Sequence, residues 1–123
     1  HAAGFRKALA AGVKMALGSD IRPLREAALL EAGLWVRSGA TAHQTLLSCT
    51  RHAAQLCGVG HEMGTIEPGK LADLIVLRAN PLDDIHHLRQ LEMVIKNGRI
   101  VTDRRPARER LASSLSHTGA TRT

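Results

Sequence analysis

Aromatic side chains are almost missing from this sequence: one Trp, one Phe and no Tyr among 123 residues. A core built from it must be aliphatic, made of Leu, Ala, Val and Ile, and little is left for a nucleic-acid base to stack on. Long hydrophobic runs are missing too. No stretch approaches the roughly 18 apolar residues that span a bilayer, and the N-terminus lacks the charged-then-apolar pattern of a secretory signal. Cysteine is scarce, with only Cys49 and Cys57. They fall on what reads as one helix, about 12 Å apart along its axis, beyond the ~7 Å Cα separation a disulfide allows. Reduced thiols that fill core space rather than act as nucleophiles, in a cytoplasmic setting, are the simpler expectation. An initiator Met is absent as well. The chain starts at His1, which suggests a processed or incomplete product no longer than one domain.

What is plentiful is positive charge, +6 overall, but its distribution is uneven. Residues 104–123 hold Arg104, Arg105, Arg108, Arg110 and Arg122 against Glu109, and so carry +4 of the total. The basicity is a tail rather than a patch on a folded face. That argues against nucleic acid as the expected partner.

Residues 2–11 read as a helix, rich in Ala, with Phe5, Ala8 and Leu9 near one face and Gly12 as its stop. A short apolar run, Val13-Lys14-Met15-Ala16-Leu17, follows and ends at Gly18-Ser19-Asp20. It reads as a buried strand of a parallel sheet. Helix, Gly and apolar strand make the second half of a β/α repeat. Pro23, favoured in a first helical turn, and Glu26, near the positive end of the helix dipole, open a second helix running to about Val36, with Ser38-Gly39 as a firm stop. Thr41 and Gln44 form a capping box for a third helix. Its apolar face contains Leu46, Cys49, Ala53 and Leu56, and Gly58 ends it.

From residue 61 the pattern changes. Pro68-Gly69 fits the centre of a type II turn. Residues 71–77, LADLIVL, read as a strand, closed by Asn80-Pro81. Asp83 or Asp84 would cap a short helix reaching Leu91. Asn97-Gly98 between two apolar runs is the strongest short hairpin signal. The chain thus divides into residues 1–60, a β-rich segment 61–103 and a basic tail 104–123, which is expected to be disordered.

These pieces together resemble the amidohydrolase superfamily of metal-dependent hydrolases. Residues 12–20, GVKMALGSD, look like the family's last barrel strand. Residues 64–77, GTIEPGKLADLIVL, resemble its return from the barrel into a small β-sandwich. Residues 80–85, NPLDDI, and 94–101, VIKNGRIV, complete the C-terminal pattern, in the family's order and spacing. The style is closest to the imidazolonepropionase-like and Xaa-Pro dipeptidase-like branch. The resemblance implies an α/β fold: the C-terminal part of a (β/α)8 barrel, its last units in residues 1–60, plus strands of a sandwich. It implies hydrolysis of an amide, cyclic amide or dipeptide-like small molecule by an enzyme holding one or two divalent metals, usually zinc. Asp20 then matches the aspartate at the end of strand eight, a metal-site residue and proton shuttle. A carboxylate beside a zinc-bound water of pKa about 7 can take its proton and pass it to the leaving amine. The family's His-x-His pair and remaining ligands belong to earlier strands that are not in this sequence. The chain therefore looks like the C-terminal quarter to third of an enzyme, inactive alone, whose full-length form is compatible with a homo-oligomer.

The other polar residues offer less. His43, His52, His61, His86, His87 and His117 show no ligand spacing such as H-E-x-x-H. His1 has no assignable role. Lys70 reads as a solvated turn residue and Asp73 as a local pairing partner. Arg22, two residues from Asp20, is either a surface charge or a group for a substrate carboxylate. The alternative to the enzyme reading is a non-catalytic basic protein that binds nucleic acid or acidic partners through residues 104–123.

Overall fold

The computed structural model describes residues 2–20 and 23–110. Helix α1 spans Ala2–Ala10, and Gly12 ends it at φ +69°. There Gly12 N donates to the Leu9 carbonyl and Val13 N to the Ala8 carbonyl, both at 3.0 Å. This paired closure places a glycine in the left-handed region so that two orphan carbonyls are satisfied. Helix α2 spans Leu24–Arg37, with Pro23 as its N-cap residue rather than in its first turn. The sole Phe and sole Trp of the chain meet across these helices: the Phe5 and Trp35 rings lie edge to face, with centroids 4.9 Å apart. Gly33 does not end α2. A Cβ there would lie 3.1 Å from the His86 ring, so the missing side chain lets a later segment approach the helix.

Two expectations need correction. The apolar run after Gly12 is not a strand: residues 13–20 take no regular secondary structure. A strand is defined by ladder bonds to a neighbour. Among the described backbone bonds, this stretch has only Val13 N closing α1 and Leu17 N donating to the Ser48 carbonyl at 3.2 Å. The α/β class holds as a small fragment with one three-stranded sheet; a barrel is not among the described residues. The third helix is also not continuous. Helix α3 spans Ala42–Cys49 and α4 spans Arg51–Leu56, with Thr50 between them at φ −122°, ψ −91°. The capping box is present: Thr41 Oγ1 accepts from Gln44 N at 3.1 Å, and Gln44 Oε1 accepts from Thr41 N at 2.8 Å.

After Gly58 the chain turns at Pro68-Gly69. Gly69 has φ +87°, and Lys70 N donates to the Glu67 carbonyl at 3.2 Å, as a type II turn requires. Strand β1, Leu74–Leu77, is shorter than the apolar run. Asp84 caps a 3-10 turn, Ile85–Arg89, by accepting from His86 N at 2.8 Å. Strands β2 (Leu91–Lys96) and β3 (Arg99–Asp103) form the hairpin over Asn97-Gly98, both at positive φ. The sheet is an antiparallel meander in the order β1-β2-β3. Asp73 clamps the hairpin turn, accepting from Asn97 N at 2.7 Å and from Lys96 Nζ.

The core is small. Ala32, Ala40, Ala54, Ile85 and Met93 are its buried apolar members, with Thr45 and Ser48 buried beside them. Several large apolar side chains face solvent instead, including Leu30, Leu56, Ile66, Ile75, Ile100 and Val101. No described helix is long and apolar enough to cross a membrane. The head of the basic segment is held rather than loose. Arg104 N donates to the Glu92 carbonyl at 2.7 Å, Arg105 pairs with Asp103 at 2.8 Å, and residues 107–110 are helical. The rest of the proposed tail, residues 111–123 with His117 and Arg122, lies outside the described residues, as do His1 and Arg22.

Candidate functional site

Asp20 ends the irregular stretch that follows α1. It is exposed and has φ +50°. A left-handed backbone costs most L-residues about 1–2 kcal/mol, and Asp is one of the few that visit it routinely. Its side chain is exposed, and among the described residues it makes no hydrogen bond or ion pair. The residues behind it are anchored through Leu17 and the Ser48 carbonyl. Ser48 is itself fixed: its hydroxyl donates to the Thr45 carbonyl at 2.7 Å, and the Thr45 hydroxyl donates to the Thr41 carbonyl at 3.0 Å.

The described histidines do not converge on Asp20. His61 pairs with its neighbour Glu62 at 3.1 Å, His87 bonds the Asn80 carbonyl through Nδ1 at 2.8 Å, and the His86 ring packs over Gly33. His43 is exposed on α3, and His52 lines shallow clefts with Lys14 and Met15. Among the described residues no group of three or more His, Cys, Asp or Glu side chains could hold a metal ion. A catalytic zinc takes about three protein ligands. The described residues therefore do not fit a metal by themselves.

Cys49 and Cys57 are free thiols, as the spacing requires, but they are exposed rather than core filler. They line an open apolar groove of about 480 Å³ between α3–α4 and residues 63–75, with Met63, Ile66, Leu71 and Ile75. Burial beside the groove desolvates the Cys49 thiol and pushes its pKa up, a shift only partly offset by its contact with the Ser48 hydroxyl. A raised pKa keeps the thiol protonated, the opposite of what a nucleophile needs.

Lys70 is not a solvated turn residue. Its Nζ donates to the Gly60 carbonyl at 2.8 Å and to Thr65 Oγ1 at 2.6 Å, with Glu67 at 3.6 Å. It thereby folds the loop that leaves α4. Gly64, at φ +97°, sits in that loop against the helix break: a Cβ there would lie 2.6 Å from Ala54 Cβ and 3.2 Å from the Thr50 carbonyl oxygen. Helical periodicity passes over Thr50 because a β-branched residue inside a helix is common and its φ/ψ leaves no trace in the pattern. Gly64, like Gly60 in the same loop, is a visible signal of a close approach.

Comparison with known proteins places these features in a family. The sequence pattern of the "Amidohydrolase family" matches residues 1–101. An imidazolonepropionase of Geobacillus sp. (strain WCH70) is 34% identical over 108 residues, covering 81% of this chain and 25% of that protein. A crystal structure of a Xaa-Pro dipeptidase with methionine bound in its active site is similar at TM-score 0.74 and 37% identity, over 80% of this chain and 25% of the other. A putative prolidase from Bifidobacterium longum is similar at TM-score 0.77 and 34% identity, over 97% and 30%. The chain spans about a quarter of the length of the relatives it matches.

Proposed function

The chain belongs to the amidohydrolase family, in its imidazolonepropionase-like branch, and on that premise we propose that the polypeptide containing it hydrolyses C–N bonds of amide, cyclic-amide or dipeptide-like small molecules. The observation that carries the reading is the match across residues 1–101, which runs through the GVKMALGSD stretch and both C-terminal motifs. In this reading residues 1–60 are the last units of a (β/α)8 barrel, residues 61–103 are a sandwich segment, and residues 104–123 are a basic extension. The run at residues 13–17 would be a ladder strand only beside its barrel neighbours.

Asp20 is the proposed catalytic residue. Hydrolysis forms a C–O bond from water, breaks the C–N bond and moves one proton from the water to the leaving nitrogen. A carboxylate within hydrogen-bond reach of both can carry that proton. The exposed side chain of Asp20, at positive φ and with Leu17 anchored behind it, supports the role. A divalent metal, zinc by the family's habit, is the cofactor that membership implies. Asp20 would be one ligand, and the others would come from outside the described residues.

The test is a hydrolysis assay on the intact polypeptide containing this chain. It would use imidazolone propionate as the cyclic-amide probe and a set of Xaa-Pro dipeptides as the linear one. Turnover of either class supports the reading. Hydrolysis of neither would overturn it.

A further inference from the structure

We propose that Thr50 is a positioning residue for Asp20: the break it makes between α3 and α4 leaves the Ser48 carbonyl to hold Leu17, three residues ahead of Asp20. This rests on the role given to Asp20 above.

In an unbroken helix the carbonyl of residue 48 accepts from the N–H of residue 52. Here α3 stops at Cys49 and α4 starts at Arg51. Thr50 directs its own polar groups to the preceding turn, with Oγ1 donating to the Leu46 carbonyl at 2.7 Å and N to the Leu47 carbonyl at 3.3 Å. The ladder is interrupted at one residue, and the Ser48 carbonyl accepts from Leu17 N at 3.2 Å. That carbonyl sits on a rigid turn, because Ser48 and Thr45 are both buried and both donate to main-chain oxygens.

The break is braced on its other side. The backbone of Gly64 leaves no room for a methyl group: a Cβ would meet Ala54 Cβ at 2.6 Å, the Thr50 oxygen at 3.2 Å and Arg51 Cα at 3.3 Å. Lys70 holds the same loop through Gly60 and Thr65. A continuous set of contacts therefore runs from the Lys70 turn, through the Thr50 break and the Ser48 carbonyl, to the stretch that carries Asp20. Straightening the helix would return the Ser48 carbonyl to the ladder and release Leu17.

The perturbation is Thr50→Ala, which removes the bond to Leu46 and raises helix propensity. Were Thr50 only a helix residue, this change would be neutral or stabilising, with full activity. The proposal expects a melting temperature unchanged or raised, KM within about threefold, and kcat lowered about tenfold or more, as misplacement of a reacting group by a fraction of an ångström does. Hydrogen exchange of the peptide covering residues 13–20 should speed up, and Thr50→Ser, which keeps the hydroxyl, should restore both readouts. If Thr50→Ala does not accumulate as folded protein, the isosteric Thr50→Val gives the same reading. Assays use the intact polypeptide with whichever probe it hydrolyses, and Asp20→Asn runs alongside. Wild-type kcat and exchange in Thr50→Ala, with Asp20→Asn inactive, would overturn the positioning proposal alone. Wild-type kcat in Asp20→Asn would overturn the role of Asp20, and the proposal with it.

Discussion

Gly64 offers a perturbation whose cost can be divided into two parts. It has φ +97°, and a Cβ there would stand 2.6 Å from Ala54 Cβ. Gly64→Ala therefore combines backbone strain of about 1–2 kcal/mol with overpacking of about 1–3 kcal/mol, a total near 2–5 kcal/mol. Ala54 is buried at 7% exposure on α4, so it cannot swing aside. Replacing it by Gly removes the 2.6 Å clash and leaves the strain and the tighter contacts with the Thr50 oxygen and Arg51 Cα. Ala54→Gly costs about 1 kcal/mol or more by itself, from helix propensity alone. In that background Gly64→Ala should cost the strain and those two remaining contacts but not the clash with Ala54, which gives a coupling of about 1–2 kcal/mol between the two positions. Trp35, the single Trp, is an intrinsic fluorescence reporter for urea unfolding. With a slope of about 1.5 kcal/mol/M, the single variant should lower the midpoint by about 1–3 M. An equal loss in both backgrounds would refute the reasoning, since it would place no contact between residues 54 and 64.

Two further outcomes follow from the same loop and from the end of β3. Lys70→Met leaves the Gly60 carbonyl and Thr65 hydroxyl without their charged donor, whose side chain is only 15% exposed. Charge-assisted bonds of this kind are worth about 1.5–3 kcal/mol each, so a loss of about 3–6 kcal/mol is expected for the two in urea unfolding; a loss below about 0.5 kcal/mol would show the clamp to be unimportant. The Arg105 side chain, hydrogen-bonded to Asp103, holds its carboxyl well below the usual carboxylate range, at about 2. Because the folded value lies below the unfolded value of about 3.9, the stabilisation is complete above about pH 4 and is lost as pH falls toward 2. Asp103→Asn should flatten the acid limb of stability in that window, and an unchanged acid limb would argue against the pairing.

Much of the local structure was legible because it rests on local chemistry. Gly12, the Thr41–Gln44 box, Pro68-Gly69 and Asn97-Gly98 each specify a stop, a cap or a turn through residues adjacent in sequence, and each is present. What misled was structure that depends on distant partners. The run at 13–17 has the composition of a buried strand, yet a strand needs neighbours to ladder with, and none is among the described residues. Thr50 breaks a helix whose periodicity continues across it, and Lys70 finds acceptors ten and five residues back that no pattern places nearby. The thiols looked like core filler because they lie on an apolar helical face. In the structure that face borders the open groove. For the candidate site, the sequence points to Asp20 as a proposal through the resemblance of its stretch to a family; its left-handed backbone and exposure are visible only in the structure.

The measurement that tests the central claim most directly is kcat for Asp20→Asn in the intact polypeptide, with the probe it hydrolyses. Asn keeps the size and polarity of the side chain but cannot take a proton from water. A general base or acid contributes about 10²–10⁴-fold, so kcat should fall by at least about a hundredfold while the melting temperature stays the same. An Asp20→Asn enzyme with wild-type kcat would contradict the account, because the carboxylate on which it rests would then have no part in the chemistry.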